Sequence, residues 1–342
     1  MNEQKYYKDK TVLITGGAGA IGSNLVKKLS ELEVKTAIVL DNMTAGHEWN
    51  LPKNKNVLLV KGSITDDVML KRVFNEKPSI VFHLAAFFAN QNSVDYPEKD
   101  LKTNGLGTLK LLEYSNLTKV ERFVYGSSGC SIYGKEAPLP LTEEFMSLNL
   151  SSPYQITKML GETYCNFYKS HYGLNTIKAR FFNSYGPGEV PGQYRNVIPN
   201  FIYWALKGLP LPITGDGNQT RDFTYVGDLI NGLLAAGAEN AAVGEEFNLA
   251  AGREVRIGDL ASMINERTGN QAGIKTIPKR IWDTKTRLLA SVDKAKKLIG
   301  YQPETSFEDG LDNAINWFKE NWDEIDRSHS FLPGASSAHR ES

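Results

Sequence analysis

Through the first half of the chain, short aliphatic and β-branched runs alternate with stretches of helical period. The runs are Thr11-Val12-Leu13-Ile14-Thr15, Thr36-Ala37-Ile38-Val39-Leu40, Val57-Leu58-Leu59-Val60, Ile80-Val81-Phe82-His83, Phe123-Val124-Tyr125 and Thr176-Ile177-Lys178-Ala179-Arg180. Each is too short for a helix and reads as a buried strand. Between them Ile21, Leu25, Val26 and Leu29 share one helical face, and helical patterns cover 66–74, about 98–117 and about 153–171. Strict strand–helix alternation predicts an α/β fold with a doubly wound parallel sheet of Rossmann type, whose ligands gather at the carboxyl ends of the strands. From Asn183 onward the texture changes, as Gly and Pro become frequent (YGPGEVPG, KGLPLPITGDGN). A helix after Asp228 and a strand at Glu246-Phe247-Asn248-Leu249 are expected to return to the sheet. The predicted layout is a sheet domain over 1–183 plus about 226–250, and a smaller, discontinuous substrate-binding lobe over about 184–225 plus 251–325. Residues 327–342, rich in Ser, His, Gly and Ala without a period, are expected to form a flexible tail.

The first strand runs into Gly16-Gly17-Ala18-Gly19-Ala20-Ile21-Gly22 and then into the first helix. Glycines at this spacing allow a tight turn, close approach of the backbone to a pyrophosphate, and close helix–strand packing. The N–H groups at the new helix start face the anion. The second strand ends in Asp41, about 20 residues past the glycines, where a carboxylate accepts from the adenine ribose and repels a 2′-phosphate. NAD is therefore the expected cofactor.

Composition narrows the class. The 342 residues carry 39 basic and 39 acidic side chains, which gives no reason to expect a nucleic-acid or anionic-membrane partner. Cys130 and Cys165 make neither a disulfide framework nor a metal site. No apolar run approaches the roughly 18 residues of a membrane helix, and MNEQKYYKDK lacks the apolar core of a signal peptide. A cytoplasmic protein is expected.

Tyr154 and Lys158 lie four apart at the start of the helix after Pro153, so the ammonium and the phenol share a face. A free phenol titrates near pH ~10. An adjacent ammonium, aided by the positive nicotinamide ring, is expected to lower it by roughly 1–3 units and make Tyr154 a base. Tyr6/Lys10 and Tyr203/Lys207 show the same spacing, but only Tyr154 follows a strand that ends in serines, Ser127 and Ser128.

With these residues in place, the chain resembles the extended short-chain dehydrogenase/reductases of the NAD-dependent nucleotide-sugar epimerase/dehydratase family. The resemblance rests on TGGAGAIG at 15–22, Asp41-Asn42, His83-Leu84-Ala85-Ala86, Asn104, SSGCSIYG at 127–134, Tyr154/Lys158, RFFNSYGPG at 180–188, TRDFTYVGDL at 220–229 and LIGYQPETSFEDGL at 298–311. It implies that Gly16, Gly19, Ala20, Ile21 and Gly22 hold the pyrophosphate and that Asp41 and Asn42 hold the adenine ribose. Ser63 and Ile64, Leu84, Ala85 and Ala86, and Asn104 would line the cofactor channel, with Tyr154 and Lys158 at its end. Asn183, Arg221 and Arg280 would meet a substrate diphosphate, and Asn196 and Val197 its base or sugar. Forked guanidinium donors suit that task. The family's Gly-Asp pair after the third strand reads Gly62-Ser63 here, which weakens or replaces an adenine contact. The resemblance further implies a homodimer joined through the helices at about 98–117 and 153–171, with Leu109, Leu112, Tyr164 and Phe167 at the join unless they belong to the core.

The hydroxyl that assists Tyr154 is Ser128 by the strand count, with Ser131 the alternative. Family members begin by oxidising a nucleotide sugar at C4 and then diverge. A 4,6-dehydratase carries Asp and Glu after the catalytic hydroxyl, and a decarboxylase carries Glu, whereas this chain has Gly129 and Cys130. A 3,5-epimerase of GDP sugars shows Ser-x-Cys, as in Ser128-Gly129-Cys130, but needs a Lys or His where Asn196 stands. C4 epimerisation of a UDP-linked hexose, N-acetylhexosamine or uronate, through a 4-keto sugar, is the expected reaction. Leu288 stands where hexose-restricted 4-epimerases carry a bulky Tyr, leaving room for a larger group. An NAD(P)-linked ketone reductase and a non-catalytic NAD-binding scaffold are the readings outside this chemistry.

Overall fold

The computed structural model describes residues 3–278 and 285–331. Seven strands form one parallel sheet: β1 (Thr11–Thr15), β2 (Thr36–Asp41), β3 (Val57–Lys61), β4 (Ile80–His83), β5 (Arg122–Ser128), β6 (Thr176–Phe181) and β7 (Glu246–Leu249). Their spatial order is β7-β6-β5-β4-β1-β2-β3. The order reverses at β1, where Thr15 pairs with Leu40 on one side and His83 on the other. A crevice opens at such a reversal. The strands bury both faces because helices cover both, which explains their nearly continuous apolar sequence. One layer packs Leu25, Val26, Leu29 and Leu233 on Val12, Ile14 and Phe82. The other packs Leu111, Leu112 and Cys165 on Leu13, Ile38 and Phe123.

Four helices matter for the site: α1 (Ala20–Glu31), α2 (Asp67–Asn75), α3 (Thr108–Leu117) and α4 (Pro153–Tyr172). The expected helix at about 98–117 is not continuous. Its first part is a short helix, Pro97–Asp100, followed by a π-wound stretch, Leu101–Gly107, and only then α3. A π turn widens the helix locally, and here it lets Asn104 face the loop after β4. The 20-residue α4 is set by its ends: Ser152 accepts from Gln155 N, Pro153 takes the first turn, and Gly173 closes it in the left-handed region at φ 72°.

A second core of Phe201, Ile202, Leu211, Phe223, Leu260, Ile264, Leu311 and Phe318 makes the smaller lobe. Two boundaries differ from the sequence reading. Ala295, Ile299 and Tyr301 pack in the core of the sheet domain, not in the lobe. Ordered structure also continues past 327: a helix spans Trp322–Ser328, and Phe331 lies against Trp204 at 5.3 Å between ring centroids. Burial of these aromatic rings on the lobe outweighs the polar composition around them.

Candidate active site

The glycine turn is as tight as its spacing implies. Gly16 sits at φ +69°, and a Cβ there would lie 2.6 Å from Ala85 N, so no side chain fits between the turn and the loop after β4. At Gly22 a Cβ would lie 2.2 Å from Gly16 O, which is the helix-packing role. Gly19 caps α1, leaving the N–H groups of Ala20, Ile21 and Gly22 in the first turn without intrahelical partners. A bare backbone surface at a helix start is a pyrophosphate cradle. Asp41, at the end of β2, accepts from Ala18 N at 3.0 Å and Met43 N at 2.8 Å, which aims its carboxylate beside the turn. These features fit NAD. Asn42 and Ser63 each engage a side-chain oxygen with the protein, while Asn42 stays exposed. Asn42 accepts from Thr44, and Ser63 shares a hydrogen bond with Thr65 at 2.8 Å. Ile64 is buried, packing toward the helix layer.

Beyond β4, Leu84 N donates to Thr15 O and Ala85 N to Thr15 Oγ1, which lays 84–86 along the glycine turn. Asn104 is fully enclosed. It accepts from Phe87 N at 2.7 Å and donates to Asp100 at 2.7 Å, so it braces this loop from beneath. Asp100 also accepts from Thr157 Oγ1 at 2.7 Å and faces Lys158. No local pattern singles out Asp100, because an acid in a polar helix reads as exposed.

Tyr154 and Lys158 come together as their spacing predicts. The ammonium lies 5.7 Å from the Tyr154 ring centroid and donates to Gly126 O at 2.7 Å, which ties α4 to the end of β5. The Tyr154 hydroxyl meets Ser128, and Ser128 Oγ donates to Ser131 Oγ at 2.9 Å. Ser128 is thus the residue at the phenol, with Ser131 behind it. Burial acts against the lowering expected from the ammonium and the nicotinamide ring. Burial pushes the Tyr154 phenol well above its ordinary value, and nearby Cys130 and Asp100 push the same way; only the Ser128 bond opposes them. Burial equally pulls Lys158 down to about 8, against the pull of Asp100 and Glu162. Desolvation disfavours the charged form of both groups.

Opposite these residues, between the sheet domain and the lobe, lies a cavity of about 610 Å³. Cys130, Asn183, Asn196, Val197, Arg221, Lys285 and Leu288 are among its walls. Asn183 Nδ2 reaches Asp222 O, and Arg221 stands on a short strand paired with Val255–Arg256. Asn196 caps the helix Val197–Leu206, and its amide is turned to Glu189 at 3.1 Å. Burial pushes Glu189 up to about 7. Arg280 lies outside the described residues. Gly129 admits no side chain, because a Cβ there would lie 2.0 Å from the Phe182 ring. Burial raises the Cys130 thiol to about 11. Among the described residues no group of His, Cys, Asp and Glu could hold a metal ion, and no helix is long and apolar enough to cross a membrane.

The chain matches the model of the NAD dependent epimerase/dehydratase family over residues 12–250. Its fold is similar to the structure of epimerase Mth375 from Methanothermobacter thermautotrophicus, at 54% identity and TM-score 0.95, covering 97% of this chain and 98% of that one. It is also similar to Bordetella bronchiseptica WbmF, solved in complex with NAD+ and UDP, at 38% identity and TM-score 0.83, covering 95% and 96% of the two chains. A curated relative, the UDP-glucose 4-epimerase of Mycolicibacterium smegmatis, is 33% identical over 90% of this chain and 98% of its own length.

Proposed function

The chain belongs to the NAD-dependent epimerase/dehydratase family, and on that premise we propose that it interconverts the C4 epimers of a UDP-linked sugar through a 4-keto intermediate. The observation that carries this reading is the pairing of Tyr154 with Ser128 above Lys158, in a site whose next two positions are Gly129 and Cys130. Elimination of water needs an acid and a base beside C5 and C6. Phe182 closes position 129 to any side chain, and a thiol held near 11 is a poor base at neutral pH.

Gly16, Gly19 and the first turn of α1 hold the dinucleotide pyrophosphate, Asp41 its adenine ribose, and Lys158 the nicotinamide ribose. When bound there, NAD would supply reversible hydride chemistry at C4 and a positive charge beside the phenol. Tyr154 takes the O4 proton as the C4 carbonyl forms, and Ser128 donates to that oxygen and holds it in place. Arg221 and Asn183 grip the diphosphate while the keto sugar presents its other face. Tyr154 then returns the proton to O4. Burial raises the phenol, and the positive charge that NAD would bring beside it acts in the opposite direction.

The reading includes a cytoplasmic homodimer joined through α3 and α4. Leu101 and Leu106, in the π-wound stretch before α3, and Ile156 and Phe167, on α4, are exposed. Leu112, expected at the join, is instead core, while Leu109 and Tyr164 are half-buried against it.

Incubation of the purified protein in D2O with UDP-glucose, UDP-N-acetylglucosamine and UDP-glucuronate tests the reaction. The expected result is a C4 epimer free of solvent deuterium. Deuterium at C3 or C5, or a 4-keto-6-deoxy product, overturns it.

A further inference from the structure

The segment 192–196 begins and ends on the lobe. Gly192 N donates to Asn200 Oδ1 at 3.0 Å, and Gly192 O accepts from Asn200 Nδ2 at 3.1 Å. Asn196 caps the helix Val197–Leu206 on which Asn200 stands. Two side chains between these anchors reach across to the sheet domain. The Tyr194 hydroxyl donates to Asp95 at 2.9 Å, and the Arg195 guanidinium donates to Ala45 O at 2.8 Å.

The two points they reach lie on opposite sides of the cofactor crevice. Ala45 belongs to the loop after β2. A Cβ on its neighbour Gly46 would lie 2.8 Å from the Ala18 side chain and 3.0 Å from Asp41 Oδ1, and His47 N donates to Ala18 O at 2.9 Å. Arg195 therefore stands beside the carboxylate assigned to the adenine ribose, and its charge acts on Asp41. Asp95 ends the short helix Asn90–Asp95 after β4, whose Ser93 hydroxyl accepts from Tyr154 N at 3.1 Å. Tyr194 is thus anchored at the nicotinamide end.

Between β2 and β4 runs β1, and the glycine turn follows its carboxyl end. A segment bonded both to the loop after β2 and to the helix after β4 spans that turn on the lobe side. The loop that leads into the segment rests on the helix after the turn, where Asn24 Nδ2 donates to Pro187 O at 2.8 Å. Protein therefore bounds the pyrophosphate cradle from the sheet, from α1 and from the lobe.

We infer that Tyr194 and Arg195 form a bar across the dinucleotide site, so that NAD enters or leaves only when both bonds open. Each bond joins two protein groups and none of its atoms belongs to the cofactor. Such a closure acts on the rates of entry and release alike and not on their ratio. The inference rests on NAD as the cofactor and is independent of the C4-epimerase reading.

The test compares NAD-loaded wild type with Arg195→Met, Tyr194→Phe and the double variant. Released NAD is captured by an excess of an alcohol dehydrogenase with ethanol and read as NADH absorbance, and calorimetry on the stripped proteins gives the Kd for NAD. The double variant is expected to release NAD roughly 10- to 100-fold faster, the span of one hydrogen bond to a charged group. Its Kd is expected to stay nearly unchanged, so that association quickens in step. Each single variant is expected to fall between wild type and the double variant, and Arg195→Lys, which keeps a cationic donor, between wild type and Arg195→Met. A double variant that releases NAD no faster than wild type overturns the inference. Faster release matched by an equal rise in Kd also overturns it, and makes Arg195 a direct ligand of the cofactor.

Discussion

The sheet side of the cavity is lined by Cys130 and Gln155, and buried next to them Tyr154 and Lys158 stand one turn apart on a single capped helix, with Ser128 ending the strand that this helix covers. On the lobe side Asn196, Arg221 and Lys285 come from three separate segments, none of them a long element. The sheet wall is held from behind. Arg180 on β6 donates twice to Glu162 on α4, at 3.0 and 2.8 Å, with both side chains about 1% exposed. The lobe wall is held by backbone contacts such as Asp222, which accepts from Ala251, Gly252 and Ala290 N–H groups. A rigid wall suits chemistry that tolerates little displacement of the reacting atoms, while a wall of loops sets which sugar enters.

If that division is right, damage to each wall should show in a different measurement. Tyr154→Phe should lower kcat by roughly 100- to 10,000-fold, the usual contribution of a positioned acid–base group, with substrate affinity by calorimetry nearly intact. A variant retaining most of its rate would place the base elsewhere. Arg180→Met leaves Glu162 charged and buried without its partner, which should cost about 3–5 kcal/mol in denaturant unfolding. A small loss would mean that α4 is held by packing alone. On the other wall, Arg221→Gln should raise KM roughly 10- to 100-fold while kcat changes little, because its bonds to the diphosphate are the same before and during reaction. A fall in kcat of that size would end the distinction between the walls.

The smallest effect concerns pH. Lys158, pulled down to about 8, is charged below that pH and loses its proton as the pH rises through it. Activity in the NAD-loaded protein should therefore fall along a limb above about pH 8. Asp100 raises the proton affinity of Lys158, so Asp100→Asn should move that limb to lower pH. A limb that stays in place would show that Lys158 is not the titrating group.

The seven strands, the glycine turn and the Tyr154/Lys158 pair were legible in the sequence because each follows from local rules. Buried parallel strands must be apolar throughout, a backbone at φ +69° against Ala85 must be Gly16, and residues four apart on a helix must share a face. Ser128 was legible too, once the strand was used as the ruler. The tertiary structure alone decided the rest. It set burial against the expected lowering of the Tyr154 phenol, since desolvation depends on everything packed around the group. It turned Asn42, Ser63 and Asn104 to protein partners, and it brought Lys285 to Cys130 across 155 residues of chain. Spacing along a chain fixes neighbours within one turn or one strand. Burial, and contact between distant segments, belong to the folded whole.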